Sequence, residues 1–265
     1  FQIPFAGVDK QNLEVFKKYS NVAVCNTHGN SAAVSEHAMS LLLALAKDLV
    51  NNDQDMRKGK WHGFITKEPT IQLSGRNLGI IGFGSIGLQI AKKAISFGMN
   101  IYAIKSSFKK NDQLEKKYGL KYLGMPEQLD FVIKKSDFII IATPLTEKTK
   151  NMIDEDKLKL MKDKYLINVG RGNVINEEAL FYALKKGILA GAAIDTWFQY
   201  PNKENPDRFP SKFAFHELTN IILSPHNAGY SDKAIQENIF SVYENITRIF
   251  YGEEPRNKIN LFEGY

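Results

Sequence analysis

The segment downstream of Leu73 alternates short apolar runs with amphipathic stretches, and this alternation restricts the possible folds more than any other feature of the chain. Several apolar runs are uninterrupted, such as Phe138-Ile-Ile-Ile-Ala142, as is typical of parallel strands buried on both faces. Strands that alternate with helices predict the α/β class, here a doubly wound parallel sheet. The predicted strands are 78–82, 101–104, 137–142, 165–169, 190–194 and 220–223. The predicted helices are 85–97, 111–117, 126–134, 154–161, 176–186 and 231–251.

The first 70 residues show a different pattern. They predict a helix over 13–19, a strand over 22–25 and one long helix that begins near Ser31, the predicted N-cap, and includes Leu49. Residues 51–70 are polar, and we expect them to be irregular. The chain opens at Phe1 without a methionine, so we expect it to be the remainder of a longer protein.

A glycine-rich turn, Gly82-Phe-Gly84-Ser85-Ile86-Gly87, lies between a predicted strand and a predicted helix. In a dinucleotide-binding turn, the first glycine allows a sharp change of direction, the second lets backbone approach a pyrophosphate, and the third lets helix and strand pack closely. The helix N-terminus then faces the phosphates. The alternative is an ordinary glycine-rich turn, but the strand before the loop and the helix after it favour dinucleotide binding.

The end of the second strand bears on the choice between NADP and NAD. An acidic residue there would bind the ribose 2′-hydroxyl of NAD. This chain has Lys105, Ser106 and Ser107 instead, with Lys109 and Lys110 just beyond. A cation and two hydroxyl groups suit a 2′-phosphate, so we expect NADP to be preferred. The alternative is a solvated lysine in a protein that accepts either cofactor.

Two charged or titratable residues stand directly after later strands. Arg171 lies between Gly170 and Gly172, and His226 comes after Pro225, each beyond a predicted strand. Open α/β sheets hold ligands at the carboxyl ends of their strands. A guanidinium grips a carboxylate with a planar fork, an imidazolium gives a proton to a ketone oxygen, and a nicotinamide supplies hydride. The order along the chain is a glycine-rich turn, then Arg171, then His226, and it suits reduction of a 2-keto acid. The alternatives are that Arg171 is a surface arginine and that His226 is a hydrogen-bonded structural histidine.

The other histidines lack such placement, and we assign His28, His37, His62 and His216 structural or surface roles. Ala6 and Gly7 are predicted to offer backbone N–H groups to a substrate carboxylate. We predict no metal, since the sequence has none of the common metal-binding motifs. The further residues predicted to contact the cofactor are Thr143, Pro144, Thr149, Val169, Gly170, Asp195 and Gly229.

Composition narrows the class of partner. One cysteine among 265 residues fits a reducing, cytoplasmic location, and no apolar run is long enough to span a bilayer. The net charge is +6, but the lysines are dispersed along the chain, so we expect no nucleic acid and no membrane as partners.

These motifs together resemble the D-isomer-specific 2-hydroxyacid dehydrogenase family, which includes glyoxylate and hydroxypyruvate reductases. The resemblance extends over nearly the whole chain, from the Ala6-Gly-Val-Asp9 loop to Pro225-His226. It implies a substrate domain built from 1–29 and 229–265, a nucleotide domain over 30–228, and homodimers that form through the nucleotide domain. It also implies that Arg171 binds the substrate carboxylate and that His226 is the acid/base.

The chain departs from the family at Tyr200. Relatives usually pair the histidine with a glutamate in a stretch like Asp-Val-Phe-x-x-Glu-Pro, whereas this chain reads Asp195-Thr-Trp-Phe-Gln-Tyr200-Pro201. A phenol can orient the imidazole but lends it no charge. Two alternatives therefore stay open: oxidation of formate or phosphite, which tolerates a weaker acid, and a nucleotide-sensing regulator without catalysis.

We predict that the pKa of His226 is lower than in relatives with glutamate, because no carboxylate at this position stabilises the imidazolium. Reduction needs the protonated form, so activity should fall at a lower pH than in those relatives. A pH–rate profile measures this, and midpoints no lower than those of glutamate-bearing relatives would contradict it.

Overall fold

Seven parallel strands form one sheet, in the order β3-β2-β1-β4-β5-β6-β7. The computed structural model describes residues 1–8, 13–19, 21–61, 69–107 and 113–262. The order reverses beside β1, which pairs with β2 on one side and β4 on the other. This confirms the doubly wound parallel sheet. The strands are β1 (Asn77–Ile81), β2 (Asn100–Ile104), β3 (Tyr122–Gly124), β4 (Phe138–Ile141), β5 (Tyr165–Asn168), β6 (Gly191–Ile194) and β7 (Ile221–Leu223).

Helices cover both faces of the sheet, as uninterrupted apolar strands require. Along β4, Phe138 and Ile140 belong to one core, whereas Ile139 and Ile141 belong to the other, and all four are fully buried. The α-helices are α1 (Leu13–Lys17), α2 (Ser31–Ala46), α3 (Leu49–Arg57), α4 (Ser85–Ser96), α5 (Gln113–Tyr118), α6 (Leu129–Lys135), α7 (Glu155–Leu160), α8 (Glu177–Lys185) and α9 (Asp232–Phe250). Short 3-10 helices cover Pro126–Gln128, Gly172–Val174 and Phe215–Glu217.

The prediction of one long helix with an irregular segment after it was wrong. Asp48 takes a left-handed conformation, with φ of 49°, and divides the region into α2 and α3. Helix α3 has no buried residues and carries an exposed ion pair of 2.8 Å between Arg57 and Asp53. Because α3 has no apolar stripe, its sequence lacks the periodicity that indicates a helix.

Three smaller predictions also differ from the structure. Residues 22–25 form no strand, since Cys25 makes only isolated bridges with Gln2 and Lys258. The N-cap of α2 is Asn30 rather than Ser31, and it caps without a side-chain hydrogen bond. The edge strand β3 was missed because three residues are too short to show alternation. The predicted start of a helix at 111–112, and residues 62–68 of the polar segment, lie outside the described residues.

Both ends of the chain contribute to a third, small core. Ile3, Val8 and Val24 are buried there with Ile259, and Asn245 of α9 donates a hydrogen bond of 2.8 Å to Gln2. This arrangement agrees with a unit made from both chain ends, and the boundaries 1–29, 30–228 and 229–265 stay a prediction. Within the described ranges, no helix is long and apolar enough to cross a membrane.

Candidate functional site

The carboxyl ends of the parallel strands meet along one edge, and close contacts connect them. A Cβ added to Gly82, after β1, would lie 2.8 Å from Thr143, which stands after β4. A Cβ on Gly170, after β5, would lie 2.6 Å from the carbonyl of Thr143. A Cβ on Gly172 would overlap the carbonyl of Trp197, which stands after β6. Glycines therefore let the loops of four strands pack side by side.

The three glycines of the turn after β1 have separate tasks. Gly82 has φ of 104°, a conformation that favours glycine, and a Cβ on Gly87 would overlap the Gly82 carbonyl. Gly84 is different, because a Cβ there would meet no heavy atom of the described chain within 4 Å. Two glycines serve packing, and the third faces open space in front of α4.

The open space at Gly84 suits a phosphate group. Gly84 is the N-cap of α4 and has no side chain to satisfy the first N–H groups of that 12-residue helix, which begins with Ser85, Ile86 and Gly87. Unsatisfied N–H groups and the helix dipole attract anions. The loop therefore fits the pyrophosphate of a dinucleotide.

Thr143 lies beside this loop, at the crevice between β1 and β4. Its Oγ1 is buried and has no hydrogen-bond partner among the described residues. A buried hydroxyl without a partner is costly, so such a group at a ligand crevice suits a polar atom of a bound molecule. The observation supports the predicted contact between Thr143 and a cofactor.

Lys105 comes directly after β2 and turns back toward the glycine-rich turn. Its Nζ donates a hydrogen bond of 3.1 Å to the carbonyl of Phe83, which uses one of the three ammonium donors. Ser106 and Ser107 are exposed beside it. The predicted contribution of Lys109 and Lys110 lies outside the described residues.

Arg171 is held at the end of β5 by its own loop. Asn168 donates from Nδ2 to the Arg171 carbonyl at 3.1 Å and accepts at Oδ1 from the Gly170 N–H at 3.0 Å. The Arg171 backbone is extended, and its Nη1 donates to the Gly170 carbonyl at 2.8 Å. The loop thus holds both the backbone of Arg171 and one nitrogen of its guanidinium at the edge of the sheet.

His226 lies after β7 in a left-handed conformation, with φ of 58°. Positive φ is uncommon for residues other than glycine and persists where the surroundings hold it. The ring of Tyr200 lies beside the imidazole, with centroids 5.3 Å apart and planes inclined by 55°. The Tyr200 hydroxyl also accepts a bond of 3.1 Å from the Trp197 N–H. The structure therefore brings together the two residues that the sequence paired.

Asp195 is fully buried at the end of β6, and both of its carboxylate oxygens accept hydrogen bonds from the protein. Oδ1 accepts from the Ser224 hydroxyl at 2.5 Å and from the Asn227 N–H at 3.2 Å. Oδ2 accepts from the Ala228 N–H at 3.3 Å. Asp195 thus holds the loop around His226, and its predicted contact with the cofactor stays a prediction.

The remaining predicted contacts lie in different surroundings. Thr149 closes its own turn by donating to the Pro144 carbonyl at 2.7 Å. Val169 is buried, and a Cβ on Gly229 would lie 2.7 Å from Nδ2 of Asn30. The Ala6 carbonyl accepts a hydrogen bond of 2.9 Å from Asn26, a contact within the predicted segment 1–29. Ala6 and Gly7 are the backbone donors predicted for the substrate. Their contact with substrate stays a prediction.

Three residues around His226 were missed as site residues. Ser224 and Trp197 anchor the loop, since the Trp197 indole donates to the Ser224 carbonyl at 2.7 Å. Nε2 of His37, on α2, lies 2.8 Å from Ser224 Oγ. Ser224 stands two residues before His226 and was detectable by that position, whereas His37 is 187 residues away from Ser224 in sequence.

The fold and this edge define a nucleotide-binding α/β protein, and comparison with known proteins defines its family. The family model of the D-isomer specific 2-hydroxyacid dehydrogenase, NAD binding domain, matches residues 39–228. The chain belongs to this family, as the motifs predicted.

Three relatives illustrate the similarity. The chain is 35% identical to the glyoxylate reductase of Korarchaeum cryptofilum over 245 residues, which cover 90% of this chain and 69% of that protein. It is 37% identical to the glyoxylate reductase of Pyrococcus furiosus over 234 residues, 86% of this chain and 66% of that protein. The chain thus spans about two thirds of these relatives. A solved NADPH-dependent glyoxylate/hydroxypyruvate reductase of Sinorhizobium meliloti, in complex with NADP and malonate, superposes with a TM-score of 0.80 at 26% identity, covering 99% of this chain and 77% of that one.

Substitution of Gly84 and Gly87 by alanine should separate binding from folding. Gly84→Ala meets no atom and keeps a negative φ, so we expect an unchanged melting temperature but nucleotide affinity weaker by roughly tenfold, about 1.4 kcal/mol. Gly87→Ala overlaps the Gly82 carbonyl and should destabilise the fold by about 1–3 kcal/mol. Thermal unfolding and nucleotide titration measure both; unchanged affinity in Gly84→Ala would remove the phosphate assignment.

Proposed function

We propose that this chain acts as an NAD(P)-dependent D-2-hydroxyacid dehydrogenase that reduces small 2-keto acids such as glyoxylate or hydroxypyruvate. The observation that carries the proposal is the placement of Arg171 and His226. They stand after strands β5 and β7, whose carboxyl ends share one edge with the glycine-rich turn after β1. The family membership and the glyoxylate reductases among its relatives support the same reaction class.

Each side chain has a definite task in this reaction. The Arg171 guanidinium binds the carboxylate of the 2-keto acid, and its planar fork orients the carbonyl carbon. His226 donates a proton to the ketone oxygen during reduction and accepts it during oxidation of the hydroxy acid. Proper orientation of both groups accounts for a large part of such a rate enhancement.

The cofactor site is formed by the glycine-rich turn, Thr143 and the end of β2. A bound nicotinamide cofactor supplies the hydride, which no side chain can do. We propose that NADP is preferred. Lys105 stands where NAD-binding proteins commonly carry an acidic residue, and its ammonium reaches the loop carbonyl of Phe83. The nicotinamide contact of Asp195 belongs to this proposal too.

Tyr200 favours a second candidate function. Its ring contacts His226 where relatives have a glutamate, and a neutral phenol contributes orientation without charge. Oxidation of a small hydride donor such as formate or phosphite needs no strong acid at His226, so such a reaction tolerates this substitution. A nucleotide-sensing protein tolerates it as well.

We further propose a homodimer that forms through the nucleotide domain, in the cytoplasm. The proposal also includes a substrate unit built from 1–29 and 229–265, in which Ala6 and Gly7 offer backbone N–H groups to the substrate carboxylate. The small core shared by Ile3, Val24 and Ile259 supports that unit.

The direct test uses the full-length protein and measures initial rates with glyoxylate, hydroxypyruvate and pyruvate, each with NADPH and NADH. We expect turnover of at least one keto acid, with higher kcat/KM for NADPH. Arg171→Met should lower kcat/KM for every keto acid, because the carboxylate loses its bidentate partner. An absence of turnover with both cofactors would reject the reductase and favour the second candidate.

Lys105→Ala should reduce the preference for NADPH over NADH by roughly tenfold, because a hydrogen bond to a charged group contributes about 1.5–3 kcal/mol. The kcat/KM for NADH should change little. Lys121→Ala is a matched control, since Lys121 is exposed at the opposite end of the sheet, ahead of β3. An unchanged cofactor ratio in Lys105→Ala would reject the 2′-phosphate assignment.

A further inference from the structure

We propose that His37 is a positioning residue for His226, acting through the Ser224 hydroxyl and the Asp195 carboxylate. The inference rests on the proposed function, in which His226 is the acid/base. His37 belongs to α2, before the sheet begins, and its place in the sequence indicates only a structural role. The structure connects it to the loop that carries His226.

The bond lengths define the direction of the hydrogen bonds. Ser224 Oγ lies 2.5 Å from Asp195 Oδ1 and 2.8 Å from His37 Nε2. A serine hydroxyl has one proton, and the short contact with a carboxylate oxygen requires that proton. Nε2 of His37 must therefore carry a hydrogen and donate it to Ser224 Oγ. The contact assigns the Nε2–H form to His37.

The Asp195 carboxylate also connects His37 and Ser224 to the backbone around His226. Asp195 accepts from the N–H groups of Asn227 and Ala228, the two residues directly after His226. On the other side, Trp197 donates to the Ser224 carbonyl, two residues before His226. His226 thus lies between two anchored positions, which explains how it keeps a φ of 58°.

His37 restrains the Ser224 hydroxyl, which also donates to Asp195. Its Nε2 is also 3.4 Å from Asp195 Oδ1, so it keeps the hydroxyl and the carboxylate in one arrangement. Asp195 is fully buried, whereas the His37 side chain is 26% exposed. Truncation of His37 should therefore loosen the Ser224 hydroxyl and the backbone donors of Asp195 without removing them, and the expected result is a misplaced loop rather than an unfolded protein.

The test compares His37→Ala and His37→Gln in the full-length protein. We expect His37→Ala to lower kcat for keto-acid reduction by roughly tenfold to a hundredfold, the effect of a displaced reacting group, with nucleotide affinity unchanged. His37→Gln should restore most of the rate, because its amide N–H can take the position of Nε2–H. His216→Ala is the control, since His216 stacks on Phe209 at the surface and should leave the rate unchanged.

A double-mutant cycle separates positioning from general destabilisation. In a His226→Ala background, loss of His37 should have almost no further effect on the residual rate, because the group it positions is gone. An equal loss of rate in both backgrounds would overturn the proposal. Failure of glutamine to restore the rate would do the same.

Hydrogen exchange tests the structural step without any substrate. The backbone amides of Asn227 and Ala228 should exchange at least tenfold faster in His37→Ala than in the parent protein, and at the parent rate in His216→Ala. Unchanged exchange at these amides would overturn the proposal. If the parent protein turns over no keto acid, the proposed function fails, and the exchange rates still decide whether His37 holds the loop.

Discussion

The site depends on one constraint: parallel strands bring all of their carboxyl ends to the same edge of the sheet. The loops after β1, β4, β5, β6 and β7 are far apart in sequence and have to share this edge. Their backbones approach so closely that a methyl group on Gly82, Gly170 or Gly172 would overlap a neighbouring loop. Of the three glycines in the nucleotide-binding motif, Gly82 and Gly87 are thus packing residues, and Gly84 faces open space.

Much of this arrangement was predictable because its causes are local. The run Phe138-Ile-Ile-Ile-Ala142 predicts a strand buried on two faces, and the structure divides its side chains between two cores. Arg171 and His226 were recognisable because each stands three residues beyond the end of a strand, so the topology alone brings them to the edge. Family membership is then indicated by several motifs in a fixed order.

The predictions that failed did so for physical reasons that local sequence patterns do not reveal. A break at Asp48 depends on a left-handed backbone that aspartate adopts only occasionally, and α3 has no buried face to reveal it. The strand β3 has only three residues, which carry too little pattern to predict a strand. It forms because it pairs with β2. His37 has no strand beside it in sequence to mark it as a site residue. Its proposed role depends on Ser224, which lies 187 residues away in sequence and which the fold brings within hydrogen-bond distance.

An acid/base residue has to be held in position and has to carry a charge in its protonated form, and the surroundings of His226, the proposed acid/base, treat these two requirements separately. In relatives with glutamate, one carboxylate orients the ring and stabilises its protonated form. In this chain the backbone is positioned by the Asp195 carboxylate through Asn227 and Ala228, and the ring contacts Tyr200. The Asp195 oxygens accept hydrogen bonds from hydroxyl and amide donors of the loop, so this carboxylate fixes the position of the His226 backbone. These bonds fix the backbone of His226 independently of the residue at position 200, whereas the Tyr200 ring lies against the imidazole itself. We therefore expect the tyrosine at position 200 to act on the proton affinity of His226 more than on the position of its backbone.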